Sequence, residues 1–152
     1  GRGGPLATYD AETRAAIAAL DGRVDTRGVT AVWEAALAAA WDGPPVWVHG
    51  DMAAGNLLVE NGRLSAVIDF GCSSVGDPAC DLAIAWTFFE GDAREAFRAA
   101  LPLDPETWAR GRGWTLWKAL IVYAALPGAN PLDAEKSGRI IEDLIADHAR
   151  AA

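Results

Sequence analysis

Apolar positions recur at helical spacing over most of this chain and give way to strand-like runs only near its middle. After Asp10, the segment AETRAAIAAL keeps apolar residues near helical spacing and stops at Asp21-Gly22. A second helical stretch, roughly Thr26 to Trp41, puts Val29, Val32, Trp33, Ala36, Leu37 and Ala40 on one face, and Asp42-Gly43-Pro44-Pro45 breaks it. The opening Gly-Arg-Gly-Gly-Pro is glycine-rich and reads as loose. Val46-Trp47-Val48 then reads as a short buried strand. Two apolar runs, Leu57-Leu58-Val59-Glu60 and Arg63 to Ile68, flank Asn61-Gly62, a strong short-range hairpin signal.

Beyond the hairpin the pattern returns to helices. Asp77-Pro78 offers an acidic cap and a proline at the first position, predicting a helix to about Phe89. Asp92 caps a short helix ending near Leu101. Asp104-Pro105 repeats the start signal for a long helix through Leu126, and a last helix runs from Leu132 to about Arg150. The predicted fold class is mainly α with a small antiparallel β-hairpin, an α+β arrangement.

Composition narrows the function classes. With 152 residues and 51% hydrophobic content, the chain can bury a core in one domain or two small ones. No apolar run reaches the roughly 18 residues that cross a bilayer, and no basic-then-apolar segment opens the chain. The expectation is no membrane and a cytoplasmic location. Acids outnumber bases 21 to 13, a net charge of -8 that argues against nucleic acid as a partner. The charge is concentrated: Asp42 to Asp92 holds eight carboxylates and one base, Arg63. Such a stretch is a solvated face, a cation site, or both. Cys72 and Cys80 are too few for a disulfide framework and read as reduced thiols.

The chemistry-bearing residues lie in that acidic stretch. A strand delivers His49-Gly50-Asp51, and Asn56 follows five residues after the Asp and opens the hairpin. The returning strand ends at Asp69-Phe70-Gly71. Because the two ends of a hairpin are neighbours, Asn56 and Asp69 should converge, with Asp51 beside them. Two carboxylates and an amide oxygen, open on one side, suit Mg²⁺ better than zinc. Phosphoryl transfer uses such a site: metal neutralises the phosphates while a carboxylate orients the attacking hydroxyl and accepts its proton. In isolation Asp51 and Asp69 could each be loop caps, and Asn56 a turn residue.

His-Gly-Asp-x-x-x-x-Asn, Ile-Asp-Phe-Gly and Gly-Asp-Pro-x-x-Asp-Leu-Ala, in this order around a hairpin, resemble the aminoglycoside phosphotransferase family, relatives of choline kinases and protein kinases. The resemblance implies the C-terminal lobe of a kinase-like fold over residues 1–152. Within it lie a catalytic loop at 49–56, the hairpin at 57–68, a metal-binding Asp-Phe-Gly at 69–71 and a helical part at 77–150. It makes Asp51 the catalytic Asp, Asn56 and Asp69 the Mg²⁺ ligands, and Leu58 and Ile68 the lower wall of an adenine pocket. His49 and Asp81 become supports of the loop, and Asp77 a helix cap. ATP is the implied donor and Mg²⁺ the implied metal. The acceptor is a hydroxyl of a small molecule, aminoglycoside-like by the family's name, with a choline-like amine, macrolide or sugar as alternatives. A cationic acceptor is weakly favoured by the acidic stretch.

One departure is large. No glycine-rich loop follows a strand, Gly111-Arg112-Gly113 falls in a helical pattern, and both lysines, Lys118 and Lys136, sit in late helices. The expectation is that the N-terminal lobe is absent and would be the partner, that the fragment alone has negligible kinase activity, and that the exposed lobe surface could pair two copies. Rival readings are a non-catalytic lobe that only binds, and a metal-dependent phosphohydrolase. Acids late in the chain (Glu135, Glu142, Asp143, Asp147) read as ammonium ligands or as a solvated face. Of seven tryptophans, Trp86, Trp108 and Trp117 read as core; Cys72 follows the Asp-Phe-Gly and falls near the nucleotide side.

Overall fold

In the computed structural model, residues 2–125 and 131–152 are described. The order is helix α1 (Asp10–Ala19), α2 (Thr26–Ala38), strand β1 (Val46–Val48), β2 (Leu57–Glu60), β3 (Arg63–Val67), β4 (Ser74–Gly76), α3 (Ile84–Thr87), α4 (Gly91–Ala100), α5 (Pro105–Ala125) and α6 (Pro131–Ala151). Short 3-10 turns stand at Leu6–Tyr9, Ala54–Asn56, Phe70–Cys72 and Pro78–Ala83. The mainly helical architecture with one small antiparallel hairpin is the predicted class. No helix among the described residues is long and apolar enough to cross a membrane.

The core is built around α5, which is buried on all sides over Arg110–Trp117. Leu116 and Leu120 share one buried cluster with Leu20, Val29, Val32 and Trp33 and with Ile141 and Leu144 of α6. Glycine inside a helix costs about 1 kcal/mol relative to alanine, but two glycines here admit close neighbours. A Cβ on Gly113 would sit 2.5 Å from the Ala36 Cβ of α2, and one on Gly111 would sit 3.0 Å from Leu82. Asp104 starts α5 as expected, accepting the Thr107 N–H at 2.6 Å. That bond holds the Asp104 carboxyl below its ordinary pKa. The predicted end at Leu126 lies outside the described residues.

Buried arginines tie the helices together. Arg110 and Asp77 form a pair with both side chains about 95% buried, and Arg110 Nε donates to Asp77 Oδ2 at 2.8 Å. Asp77 also accepts the Ala79 N–H at 3.0 Å, so it is a cap as expected, and more than a cap. Arg112 and Arg98 both reach the buried Asp147, at 3.1 and 2.7 Å, and Arg94 reaches Asp143 at 2.8 Å. Asp147 is thereby buried in the core rather than on a solvated face, while Asp143 stays half exposed beside Arg94.

Several boundaries depart from the sequence pattern, each for a tertiary reason. The α2 helix stops at Ala38 rather than Trp41, because the Ala39 carbonyl accepts from Arg110 at 3.4 Å and the Trp41 ring lies 5.1 Å from its guanidinium carbon. The segment after Asp77 is 3-10 to Ala83 before one α turn to Thr87. Residues four apart share a face in an α-helix, yet Asp77 turns to α5 and Asp81 to the β1 loop, which tighter turns permit. Asp92 lies in the first turn of α4, where its charge suits the helix dipole, but makes no capping bond. The β1 strand is buried only at Val48; Trp47 is 79% exposed. It pairs with β4, a strand too short to signal itself, in the register Val46↔Gly76, Trp47↔Val75, Val48↔Ser74.

The opening segment is docked rather than loose. Ser74 Oγ donates to the Arg2 carbonyl at 2.6 Å and the Asp77 N–H to the Gly3 carbonyl at 2.8 Å. In the hairpin, Leu57↔Val67 and Leu58↔Ala66 pair, then the register shifts before Val59↔Leu64. Asn61 and Gly62 both have positive φ, 52° and 75°, as a tight type I′ turn demands.

Candidate active site

The β1 strand ends by feeding a loop whose backbone is held at each residue from His49 to Asp51. Asp81 accepts the His49 N–H at 2.7 Å on one oxygen and the Gly50 N–H at 2.8 Å on the other. His49 is buried, and its Nδ1 accepts the Asp51 N–H at 3.2 Å. That leaves the proton on Nε2, which faces the Ile68 carbonyl at 2.9 Å. One imidazole thus spans from the loop to the end of the hairpin, with Phe70 edge-on at 4.8 Å. Gly50 has φ +79°, and a Cβ there would lie 2.4 Å from the Cys72 carbonyl oxygen.

Asp51 projects from this anchored loop. Arg2 donates to its Oδ1 at 2.6 Å and to the Gly50 carbonyl at 2.7 Å. Both side chains of that pair are partly exposed, so it contributes position more than stability, about 1 kcal/mol at most. The Asn56 Nδ2 donates to the Asp51 carbonyl at 2.8 Å and lies 3.4 Å from Asp51 Oδ2. Both contacts require the amide nitrogen on that side, which leaves the Asn56 Oδ1 uncommitted among the described residues.

Asp69 enters from the other arm of the hairpin. The Ile68 N–H donates to the Asn56 carbonyl at 2.9 Å, so Asn56 is fixed to both Asp51 and the residue before Asp69. Asp69 has φ 62° and ψ 64°, a left-handed conformation uncommon for a residue with a side chain, and its carboxylate makes no capping bond. The structure therefore joins Asp51 directly to Asn56, and joins Asp69 to them through backbone. Leu58 and Ile68 stand on the hairpin, 46% and 40% exposed. Asp77 lies apart, paired with Arg110 in the core.

No three His, Cys, Asp or Glu side chains cluster as a metal site among the described residues. The donors that would face a cation are the Asp69 carboxylate and the free Asn56 amide oxygen. An all-oxygen set of so few ligands fits Mg²⁺, which retains waters and takes phosphate oxygens, and does not fit a structural zinc.

A cavity of about 340 Å³ opens beside Asp51, lined by residues of the loop, α5 and α6. Sequence reasoning missed it, along with Arg2, Arg110 and β4. Its lining includes Asp51 and Met52, but not Asn56, Leu58, Ile68 or Asp69. Trp114 lines it too, 3% exposed. Cys80 borders it, buried, with its thiol pushed up to about 12 by burial and by the charges of Asp81 and Asp77. Cys72 is exposed and lies against Gly50.

The sequence model of the phosphotransferase enzyme family matches residues 2–114, well over half of the chain. Two solved structures share the fold. One is a thermostable mutant of aminoglycoside phosphotransferase APH(4)-Ia in its apo form, at 23% identity and TM-score 0.51, covering 80% of this chain and 45% of that one. The other is such a mutant in a ternary complex with AMP-PNP and hygromycin B, at 25% identity and TM-score 0.54, covering 82% of this chain and 44% of that one. The chain spans less than half the length of these relatives. No curated protein matches it.

Proposed function

The chain belongs to the phosphotransferase enzyme family, and on that premise we propose that it forms the catalytic lobe of an ATP- and Mg²⁺-dependent kinase for a small-molecule hydroxyl. The observation that carries this is the position of Asp51. Asp51 lines the cavity and is bonded to Asn56, which opens the hairpin and holds the residue before Asp69 through its carbonyl.

In this reading Asn56 Oδ1 and the Asp69 carboxylate hold Mg²⁺, which when bound neutralises charge on the transferring phosphate. Leu58 and Ile68 supply an apolar wall for the adenine. Asp51 orients the acceptor hydroxyl and takes its proton as the oxygen bonds to the γ-phosphorus, the bond to the bridging oxygen breaks, and ADP departs. His49 and Asp81 hold the loop so that this aim persists. An N-terminal lobe with a phosphate-binding lysine completes the nucleotide site. The lobe described here, with eight acids and one base between Asp42 and Asp92, offsets little triphosphate charge.

The name of the solved neighbours makes aminoglycosides the first acceptors to test. Full-length protein incubated with ATP, Mg²⁺ and a panel of aminoglycosides, amines, sugars and hydroxy acids should give a phosphate ester detectable by phosphorus NMR, absent in Asp69→Ala. Phosphate release to water with no ester formed would favour a hydrolase and overturn the proposal.

A further inference from the structure

The chain's only lysines, Lys118 and Lys136, line the same cavity beside Asp51. They lie on facing stripes. Trp114, Thr115, Lys118 and Val122 recur at three- and four-residue spacing on α5, as do Asp133, Lys136, Ser137 and Ile140 on α6. Both lysines are exposed, and neither makes an ion pair among the described residues.

Of the α6 acids, Asp133 lines the cavity, while others pair with arginines outside it. Asp147 is held by Arg98 and Arg112, Asp143 by Arg94, and Glu135 lies 3.6 Å from Arg139. Arg2 already occupies Asp51. Beside the Arg2–Asp51 pair, the cavity presents two lysines, without an ion pair among the described residues, against Asp133, on walls that are otherwise mainly apolar, with Met52, Val122 and Ile140 among them. The volume of about 340 Å³ is at the small end for a ligand site.

We infer that the acceptor is a compact hydroxyl compound with an apolar body and an anionic group held by Lys118 and Lys136, rather than a polycationic aminoglycoside. Calling this ligand the acceptor rests on the phosphotransferase reading. The charge preference itself rests only on the cavity. A hydroxyl placed at Asp51 with its anionic end between α5 and α6 would satisfy both ends of the site, whereas several ammonium groups would meet like charge.

Binding without nucleotide separates the two claims. The 152-residue chain is titrated calorimetrically with para-hydroxymethylbenzoate, with para-aminomethylbenzyl alcohol and with hygromycin B. The carboxylate should bind about tenfold tighter than the matched amine. The doubly substituted Lys118→Gln/Lys136→Gln chain should lose that preference while unfolding at the same temperature, since both residues are exposed and make no ion pair among the described residues. Equal or tighter binding of the amine or of hygromycin B, absence of carboxylate binding, or an unchanged preference in the double variant would each overturn the inference. A retained carboxylate preference in a full-length protein that forms no phosphate ester would leave the inference standing and sink the kinase reading instead.

Discussion

Gly50 shows how little freedom the loop has at the scale of one residue. Its positive φ already disfavours a side chain, and a Cβ would collide with the Cys72 carbonyl. Gly50→Ala should cost at least about 2 kcal/mol in denaturant unfolding. Asp81 holds the loop by accepting two successive backbone N–H groups. Its replacement by Ala should cost about 2–3 kcal/mol, the range for bonds to a charged acceptor, and should lower kcat more than it raises the KM for ATP. The two cysteines separate by environment. At pH 8 a thiol reagent should label exposed Cys72 and spare Cys80. Because the folded Cys80 pKa, about 12, exceeds its ordinary value, the native state holds a proton that the unfolded chain releases. Stability should therefore fall as pH rises from about 9 towards 12, and Cys80→Ala should flatten that decline.

Between elements, the Asp77–Arg110 pair joins the start of the 3-10 segment to α5. Removing either charge alone strands its partner in the core, and Asp77→Ala should lose about 3–5 kcal/mol of unfolding free energy. Replacing both by apolar residues of similar size should recover most of it. The sequence signals that proved legible were local. Asn61-Gly62 marked the hairpin turn, Asp104-Pro105 the start of α5, and the apolar runs on either side of Asn61-Gly62 both arms. What was not legible depends on residues far apart. Arg2 meets Asp51 across 49 positions and Arg110 meets Asp77 across 33, so no window contains both partners. The same holds for β4, whose three residues form a strand only because β1 lies beside them. On the hairpin, Ile68 is exposed enough that Ile68→Ser should leave the melting temperature unchanged, while raising the KM for ATP several-fold in the full-length protein.

Across the whole molecule, the apolar residues without cover are concentrated on the β elements: Trp47 and Val75 on one pair, Val59, Leu64 and Ile68 on or beside the other, with Phe70 between. The helical side is closed by its arginine pairs and by α5. In the proposed reading such a chain is a lobe that offers loop, hairpin and cavity and leaves the upper face of the nucleotide site to another part of a kinase. Accordingly, ATP turnover by the 152-residue chain alone should be negligible, and turnover at ordinary kinase rates would refute that division.

The most direct test of the account is the kcat of Asp51→Asn in the full-length protein, measured with ATP, Mg²⁺ and a phosphorylated acceptor. Loss of the carboxylate proposed to aim the hydroxyl and take its proton should lower kcat by about 10²–10⁴-fold, with the KM for ATP little changed. A kcat within a few-fold of wild type would contradict the role assigned to Asp51 and the site built around it.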